Sequence, residues 1–178
     1  MLSFEFAILD WIQTNLRNPV MDLLMPVITS LGNSGLIWIL LDVILLFMPK
    51  HRKAGIAVLA GLAAEVICCN LVLKPLVARV RPCDINTAVQ LLVARPDDFS
   101  FPSGHTGASF AAVSALFFSG NRLWIPSLLL AALISFSRLY LYVHYPTDIL
   151  AGIFLGVMAG WVGSLVSLYA REALHLHR

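Results

Sequence analysis

Charge is scarce in this chain: 12% of its 178 residues are Asp, Glu, Lys or Arg, against roughly 25% in an ordinary soluble domain. That shortage excludes a conventional water-facing surface. It also excludes nucleic acid as a partner, because 12 Lys and Arg set against 10 Asp and Glu leave a formal net charge of only +2, too little for a polyanion footprint. The 3 cysteines form no disulfide framework. Cys68 and Cys69 fall inside an apolar block, where packing is the expected role, and Cys83 falls in a polar loop. The N-terminus lacks the basic start of a secretory signal, since Glu5 and Asp10 stand in it and no small-residue cleavage site follows a compact apolar core. There is no HExxH pair and no clustered carboxylate set of the kind that demands a divalent ion, so neither metal nor cofactor is expected.

What the chain has in abundance is apolar sequence, 59% of residues, with a mean hydropathy of +0.84. This composition predicts a membrane protein of all-α class: one polytopic helical bundle over residues 1–178 with the lipid bilayer as its solvent. Five spanning segments are expected, at about Ser34 to Met48, Ala54 to Lys74, Ser103 to Ser119, Leu123 to Arg138 and Ile149 to Tyr169. The first is short, and Val27 to Leu31 extend it if the break at Gly32-Asn33-Ser34-Gly35 is weak. Residues 34–170 are thus the transmembrane core. Ahead of them, residues 1–31 read as an interfacial helical region, with Phe4, Ile8, Trp11 and Ile12 forming one apolar stripe.

Five crossings divide the polar links between two sides. One side holds Lys50, Arg52, Lys53, Arg122, Arg171 and Arg178 with Glu172 as its only acid; the other mixes Arg17, Lys74, Arg79, Arg81, Arg95 and Arg138 with most of the acids. The bases tie by number. Setting aside Lys74, Arg81 and Arg138, which have chemical duties argued next, makes the first side cytoplasmic and the second extracytoplasmic. The expected location is a membrane that the chain crosses several times.

The polar residues of the outer side fall in three short runs. KPLVARVRP carries Lys74 and Arg81 seven residues apart, about two helical turns, so both point the same way if the helix continues past Pro75. FPSGHTG opens the third span: Ser103 is an expected N-cap, Gly104 lets backbone N–H groups approach a ligand, and His105 rides on the first turn, where anions bind. SRLYLYVHYPTD brings Ser137, Arg138, His144 and Asp148 to the same rim. A helix from Tyr145 onward sets Asp148 beside the His144 imidazole, where it can fix one tautomer.

Three cations, a helix N-terminus, two histidines and a carboxylate suit a phosphate. One histidine, neutral and oriented by Asp148, can attack phosphorus while the other protonates the leaving oxygen. Taken singly, each run also has a plain structural reading: a helix start, an interfacial aromatic belt of Tyr140, Tyr142 and Tyr145, snorkelling arginines.

Together the runs resemble the three signature motifs of the type 2 phosphatidic acid phosphatase family, K-x6-RP, PSGH and SR-x5-H-x3-D, in order from Lys74 to Asp148. The resemblance implies a metal-independent lipid phosphatase on a helical bundle. It implies a phosphohistidine at His144, an orienting Asp148, a proton donor at His105, and phosphate binding by Lys74, Arg81, Ser103, Gly104 and Arg138. Compact bacterial members of that family dephosphorylate undecaprenyl diphosphate, which makes that lipid the first expectation for substrate. Phosphatidic acid, phosphatidylglycerophosphate, diacylglycerol pyrophosphate or broad specificity are the alternatives. Two readings from other classes stand beside it: a relative of the vanadate-dependent haloperoxidases, and a membrane protein that binds or moves lipid phosphates without hydrolysis. Oligomeric state is left open by the sequence.

Four further features carry expectations. Gly152, Gly156 and Gly160 repeat every four residues and favour helix packing within the chain over dimerisation. Asp97 and Asp98 read as solvated loop residues. The apolar segment TAVQLLVA (87–94) is a candidate flank of the lipid entrance. Asp42 and Glu65, at similar depths in their spans, are expected to face each other or a shared polar neighbour such as Asn70.

Overall fold

The computed structural model describes residues 2–176, with side-chain surroundings for residues 3–170. Among the described residues there is no β-strand. The helices are α1 (Leu2–Asn15), α2 (Pro19–Leu31), α3 (Leu36–Phe47), α4 (Arg52–Val66), α5 (Lys74–Val77), α6 (Pro82–Ile85), α7 (Gly104–Phe118), α8 (Trp124–Tyr140) and α9 (Pro146–Leu176). A π-helical stretch, Ile67–Leu73, joins α4 to α5. The local chemistry accounts for several boundaries. Asn18 caps α2 by accepting from the Val20 and Met21 N–H groups at 3.1 Å each, and Pro19 occupies the first helical turn, where a missing N–H costs nothing.

Two runs, Arg52–Ile85 and Pro146–Ala170, are each long and apolar enough to cross a membrane. Pro19–Leu31 and Asn33–Phe47 pass the same test only as a pair, bent by 48°. The first apolar segment therefore begins well before Ser34, and Gly32 to Gly35 are its bend, since Ser34 and Gly35 adopt φ of 52° and 68°. α7 and α8 have 15 and 17 residues, fewer than the roughly 20 that cross a hydrocarbon core upright. The outward faces of α3, α8 and α9 are apolar, with Ile44, Leu129 and Phe154 all exposed, as a bilayer-facing surface requires.

α7 is the central helix, packed between α4, α8 and α9. The glycine stripe of α9 makes this possible. A Cβ added at Gly152, Gly156 or Gly160 would stand 2.8, 2.5 or 2.5 Å from the carbonyl oxygens of Ser103, Gly107 and Ala111, and one at Gly163 would meet Ala57 of α4. Only hydrogen at these positions lets α9 lie in the groove between α4 and α7. The stripe is spent on packing within the chain, as expected.

One apolar cluster, around Trp38, Val58, Leu116 and Ile134, fills the middle of the bundle. Trp38 Nε1 donates to Ser109 Oγ at 3.0 Å there. A second cluster, around Leu9, Ile12, Met25, Tyr140, Tyr142 and Tyr145, joins α1 to the link between α8 and α9. One expectation is corrected by it. The buried face of α1 is Glu5, Leu9 and Ile12, whereas Phe4 and Trp11 point outward, so the stripe drawn from Phe4, Ile8, Trp11 and Ile12 is not one face. The reason is that α1 packs on protein through polar pairs as well as apolar ones: Tyr142 Oη donates to Asp10 at 2.6 Å and Gln13 Nε2 to the Tyr140 carbonyl at 2.6 Å. The tyrosines of the link are consequently core, not an aromatic belt.

Two smaller expectations also change. Cys83 is buried in α6 and not in open loop. No hydrogen bond joins Asp42 to Glu65 or Asn70 among the described residues; both acids are buried, each with one carboxylate oxygen unpaired, and Glu65 packs instead against Gly107. Arg171, Glu172 and Arg178 of the basic tail lie outside the residues whose side chains are described.

Candidate active site

A cleft of about 440 Å³ opens at the end of the bundle where α5, α7 and the α8–α9 link meet, and Lys74, Arg81, Gly104, His105, Arg138 and His144 all line it. Three segments distant in sequence thus converge. The convergence of Lys74 and Arg81 does not come from a continuous helix, however. α5 stops at Val77, Ala78 turns left-handed at φ 48°, and Arg81 lies on extended chain. A left-handed alanine costs on the order of 1–2 kcal/mol, and it is held by bonds on its far side: Arg79 O accepts from Ser100 N at 2.8 Å, and Arg81 donates to the carbonyls of Asp98, Phe99 and Val143 at 2.8, 3.3 and 2.7 Å.

The partners of His144 fix its tautomer. Arg81 Nη1 stands 3.1 Å from His144 Nε2, and Asp148 Oδ2 stands 3.4 Å from His144 Nδ1. A guanidinium can only donate and a carboxylate only accept, so the proton is on Nδ1 and the Nε2 lone pair points toward the cations of the cleft. Burial pushes the His144 imidazole well below its ordinary value, and Arg138, Arg81 and Lys74 push it further, against a smaller opposing effect of Asp98. Both effects favour its neutral form.

His105 lines the cleft from the first turn of α7, with Nε2 3.0 Å from Asn33 Oδ1. Arg138 Nη1 donates to Thr29 Oγ1 at 2.7 Å, while its Nε is buried without a partner. An unpaired buried donor costs roughly 1–3 kcal/mol, a cost that an anion in the cleft would remove. Ser103 departs from expectation. It occupies the N-cap position of α7, but its hydroxyl makes no cap bond, is buried, and accepts from Thr106 Oγ1 at 3.1 Å; it is not among the residues lining the cleft. Asp148 lies fully buried behind His144.

Asp98 is an exposed loop residue, as expected, but it is also paired. Its carboxylate bridges Lys74 and Arg81, with Arg81 Nη2 2.6 Å from Oδ1, so a phosphate binding to both cations has to displace it. Burial alone would raise this carboxyl, and the Lys74 and Arg81 charges override burial and hold it at about 2, below the ordinary 3.8. A carboxyl lowered on folding stabilises the fold fully above its unfolded value, and that contribution is lost as pH falls through the folded one. The melting-temperature gap between wild type and Asp98→Asn in detergent is therefore expected to be constant from about pH 7 to about pH 5 and to close near pH ~2. A gap that closes already near neutrality would contradict the pairing.

Sequence reasoning missed Asn33, Thr29, Ser100, Arg79 and Glu5. Arg79 could have been found, since it is the third cation of KPLVARVRP. Glu5 gave no signal, because nothing local connects the first helix to residues 79 and 148.

Comparison with known proteins follows the same lines. A family model described as the PAP2 superfamily matches residues 54–172, which includes all three motifs. An undecaprenyl-diphosphatase of Sulfolobus acidocaldarius is 35% identical over 130 residues, covering 72% of this chain and 61% of its own length; the chain thus spans less than two thirds of that relative. Among solved structures, Aquifex aeolicus LpxE superposes with a TM-score of 0.76 at 26% identity, covering 90% of this chain and 94% of that one. A PAP2 type phosphatidylglycerolphosphate phosphatase from Bacillus subtilis gives 0.75 at 28% identity, covering 96% and 86%. With the match running from the start of α4 into α9 and taking in every residue of the cleft except those of the bent first segment, this chain belongs to the PAP2 superfamily.

Proposed function

We propose that the protein is a multi-pass membrane phosphatase that hydrolyses a lipid diphosphate, with a long-chain prenyl diphosphate of the undecaprenyl type as its preferred substrate. The observation that carries the proposal is the double pairing of His144, which aims a neutral Nε2 lone pair into a cleft walled by Lys74, Arg81 and Arg138. His144 Nε2 attacks the terminal phosphorus; the N–P bond forms as the P–O bond to the leaving group breaks, and His105, having taken up a proton as the anionic headgroup enters the cleft, gives that proton to the leaving oxygen. Water, deprotonated by His105, then cleaves the phosphohistidine and releases phosphate. The cations and the N–H groups that open α7 at Gly104 stabilise charge on the equatorial oxygens, so no metal is called for. Ser103 supports the start of α7 from beneath and needs to move to touch phosphate.

The prenyl preference is supported by the likeness to an undecaprenyl-diphosphatase. The likeness to a phosphatidylglycerolphosphate phosphatase supports a second reading, broad acceptance of glycerolipid phosphates. In this proposal five segments cross a bacterial inner membrane, α1 lies at the interface, and the cleft faces outward. Purified protein in detergent is expected to release phosphate from prenyl diphosphates faster than from phosphatidic acid or phosphatidylglycerophosphate, and to keep its rate in excess chelator. In sealed right-side-out vesicles the phosphate is expected outside. Loss of activity on chelation would remove the metal-free step. Lipid binding without release would leave a non-enzymatic binder, and halide oxidation with bound vanadate would leave an oxidoreductase.

A further inference from the structure

Behind the cleft, Asp148 is held by more groups than an orienting carboxylate needs. Its Oδ2 accepts from the Tyr145 N–H at 2.9 Å, from the Ser100 hydroxyl and from His144 Nδ1. Its Oδ1 accepts from Arg79 Nη1 at 2.6 Å, and Arg79 is its only Arg or Lys partner among the described residues. Arg79 is itself clamped. Nη2 donates to Glu5 Oε2 at 2.5 Å, Nη1 also donates to Thr147 Oγ1 at 2.7 Å, and the guanidinium lies 3.9 Å over the Tyr145 ring. Glu5 belongs to α1, is buried, and also accepts from the Thr147 hydroxyl and N–H. Neither Arg79 nor Glu5 lines the cleft.

We propose that Arg79, fixed by Glu5, is a positioning residue that acts through Asp148 to hold the proton on His144 Nδ1; its effect on rate rests on the phosphatase reading above. The argument is one of charge in a dry place. Asp148 is fully buried, and a buried carboxylate without a cation neutralises itself by taking up a proton. Once protonated, Asp148 can donate an O–H to His144 Nδ1. The imidazole can then carry its proton on Nε2 only by giving up the 3.1 Å contact with the donor-only Arg81 Nη1, and in that form the lone pair facing the cleft is gone. Arg79 keeps Asp148 an acceptor, and Glu5 keeps the guanidinium in place. The N-terminal helix thereby becomes part of the catalytic machinery without meeting substrate.

The test uses the full-length protein in detergent with Arg79→Gln, Arg79→Lys and Glu5→Gln. Arg79→Gln is expected to lower kcat roughly 10- to 100-fold, as loss of such supporting partners does elsewhere, with KM and inorganic phosphate affinity within about twofold. Arg79→Lys restores most of the rate, and Glu5→Gln falls between. Nitrogen-15 spectra of the imidazoles provide a readout independent of turnover: the His144 Nδ1–H form of wild type gives way to Nε2–H in Arg79→Gln and persists in Arg79→Lys. An unchanged tautomer, or losses of kcat matched by losses of phosphate affinity, overturns the positioning role. An Arg79→Gln variant that does not fold leaves the spectrum of Glu5→Gln to decide, with retention of the wild-type tautomer and rate counting against the proposal. Wild type that releases no phosphate sinks the phosphatase reading alone, because the spectra still judge Arg79.

Discussion

His144→Ala is expected to reduce phosphate release by at least about 10³-fold while inorganic phosphate still binds. In the proposed mechanism His144 is the one group in the cleft that makes a bond to phosphorus, so no neighbouring cation can stand in for it. Arg81 loses its contact to Nε2 but keeps three carbonyl partners and Asp98, and the anion cradle of Lys74, Arg81 and Arg138 is expected to survive. The measurement is kcat on a radiolabelled prenyl diphosphate together with calorimetric titration of phosphate. Brief exposure of wild type to that substrate, labelled in the terminal phosphate, should leave label on protein that survives alkali and is lost in acid, and the alanine variant should carry none. A variant that retains more than about a tenth of the wild-type rate would remove His144 from the role.

Gly156→Leu is expected to damage the bundle and the cleft together. A Cβ at that position would stand 2.5 Å from Gly107 O, 2.8 Å from Phe110 Cβ and 2.9 Å from Ala111 N. Two of those three atoms are backbone of α7 and cannot rotate away, so the helices have to separate. Overpacking of side chains costs about 1–3 kcal/mol, and a clash with backbone costs more. α7 carries His105 and α9 carries Asp148, so separation opens the cleft as well as weakening the bundle. Loss of a cooperative melting transition in detergent, with activity lost alongside, is the expected result. Leucine tolerated at Gly156 with a melting temperature near wild type would mean that α7 and α9 are not in the close contact described.

The cleft was legible in the sequence to the extent that its chemistry is local. Lys74, Arg81, His105, Arg138 and His144 lie in runs whose residue types already specify an anion, and all five line one cavity. The condition attached to Lys74 and Arg81, a helix that runs on past Pro75 as far as Arg81, is not met, because the chain turns at Ala78. Asp98 is exposed, as a loop carboxylate should be, but its pairing with Lys74 and Arg81 could not be read until the cations it faces are known. The polar support behind His144 was invisible for a similar reason: Glu5 and Asp148 are far apart in sequence, and an acid on an otherwise apolar helix gives no hint of a distant guanidinium. Composition predicted the all-helical class correctly, but the bend at Gly32 to Gly35 decides where the first apolar segment begins, and the stripe on α1 failed because that helix docks through polar pairs at Glu5, Asp10 and Gln13 as well as through apolar contacts.

The length of α8 has a consequence for the lipid around it. Its 17 residues measure about 26 Å, short of a hydrocarbon layer of roughly 30 Å. Ile125 and Leu129 expose apolar side chains on its outer face, so a bilayer meeting that face has to become thinner by several ångströms, at a cost of fractions of a kcal/mol per ångström. Such a dimple would lower nearby headgroups toward the buried imidazole. A carrier lipid could then present its terminal phosphorus without its tail leaving the acyl region, and turnover should fall as the protein is reconstituted into membranes of increasing thickness.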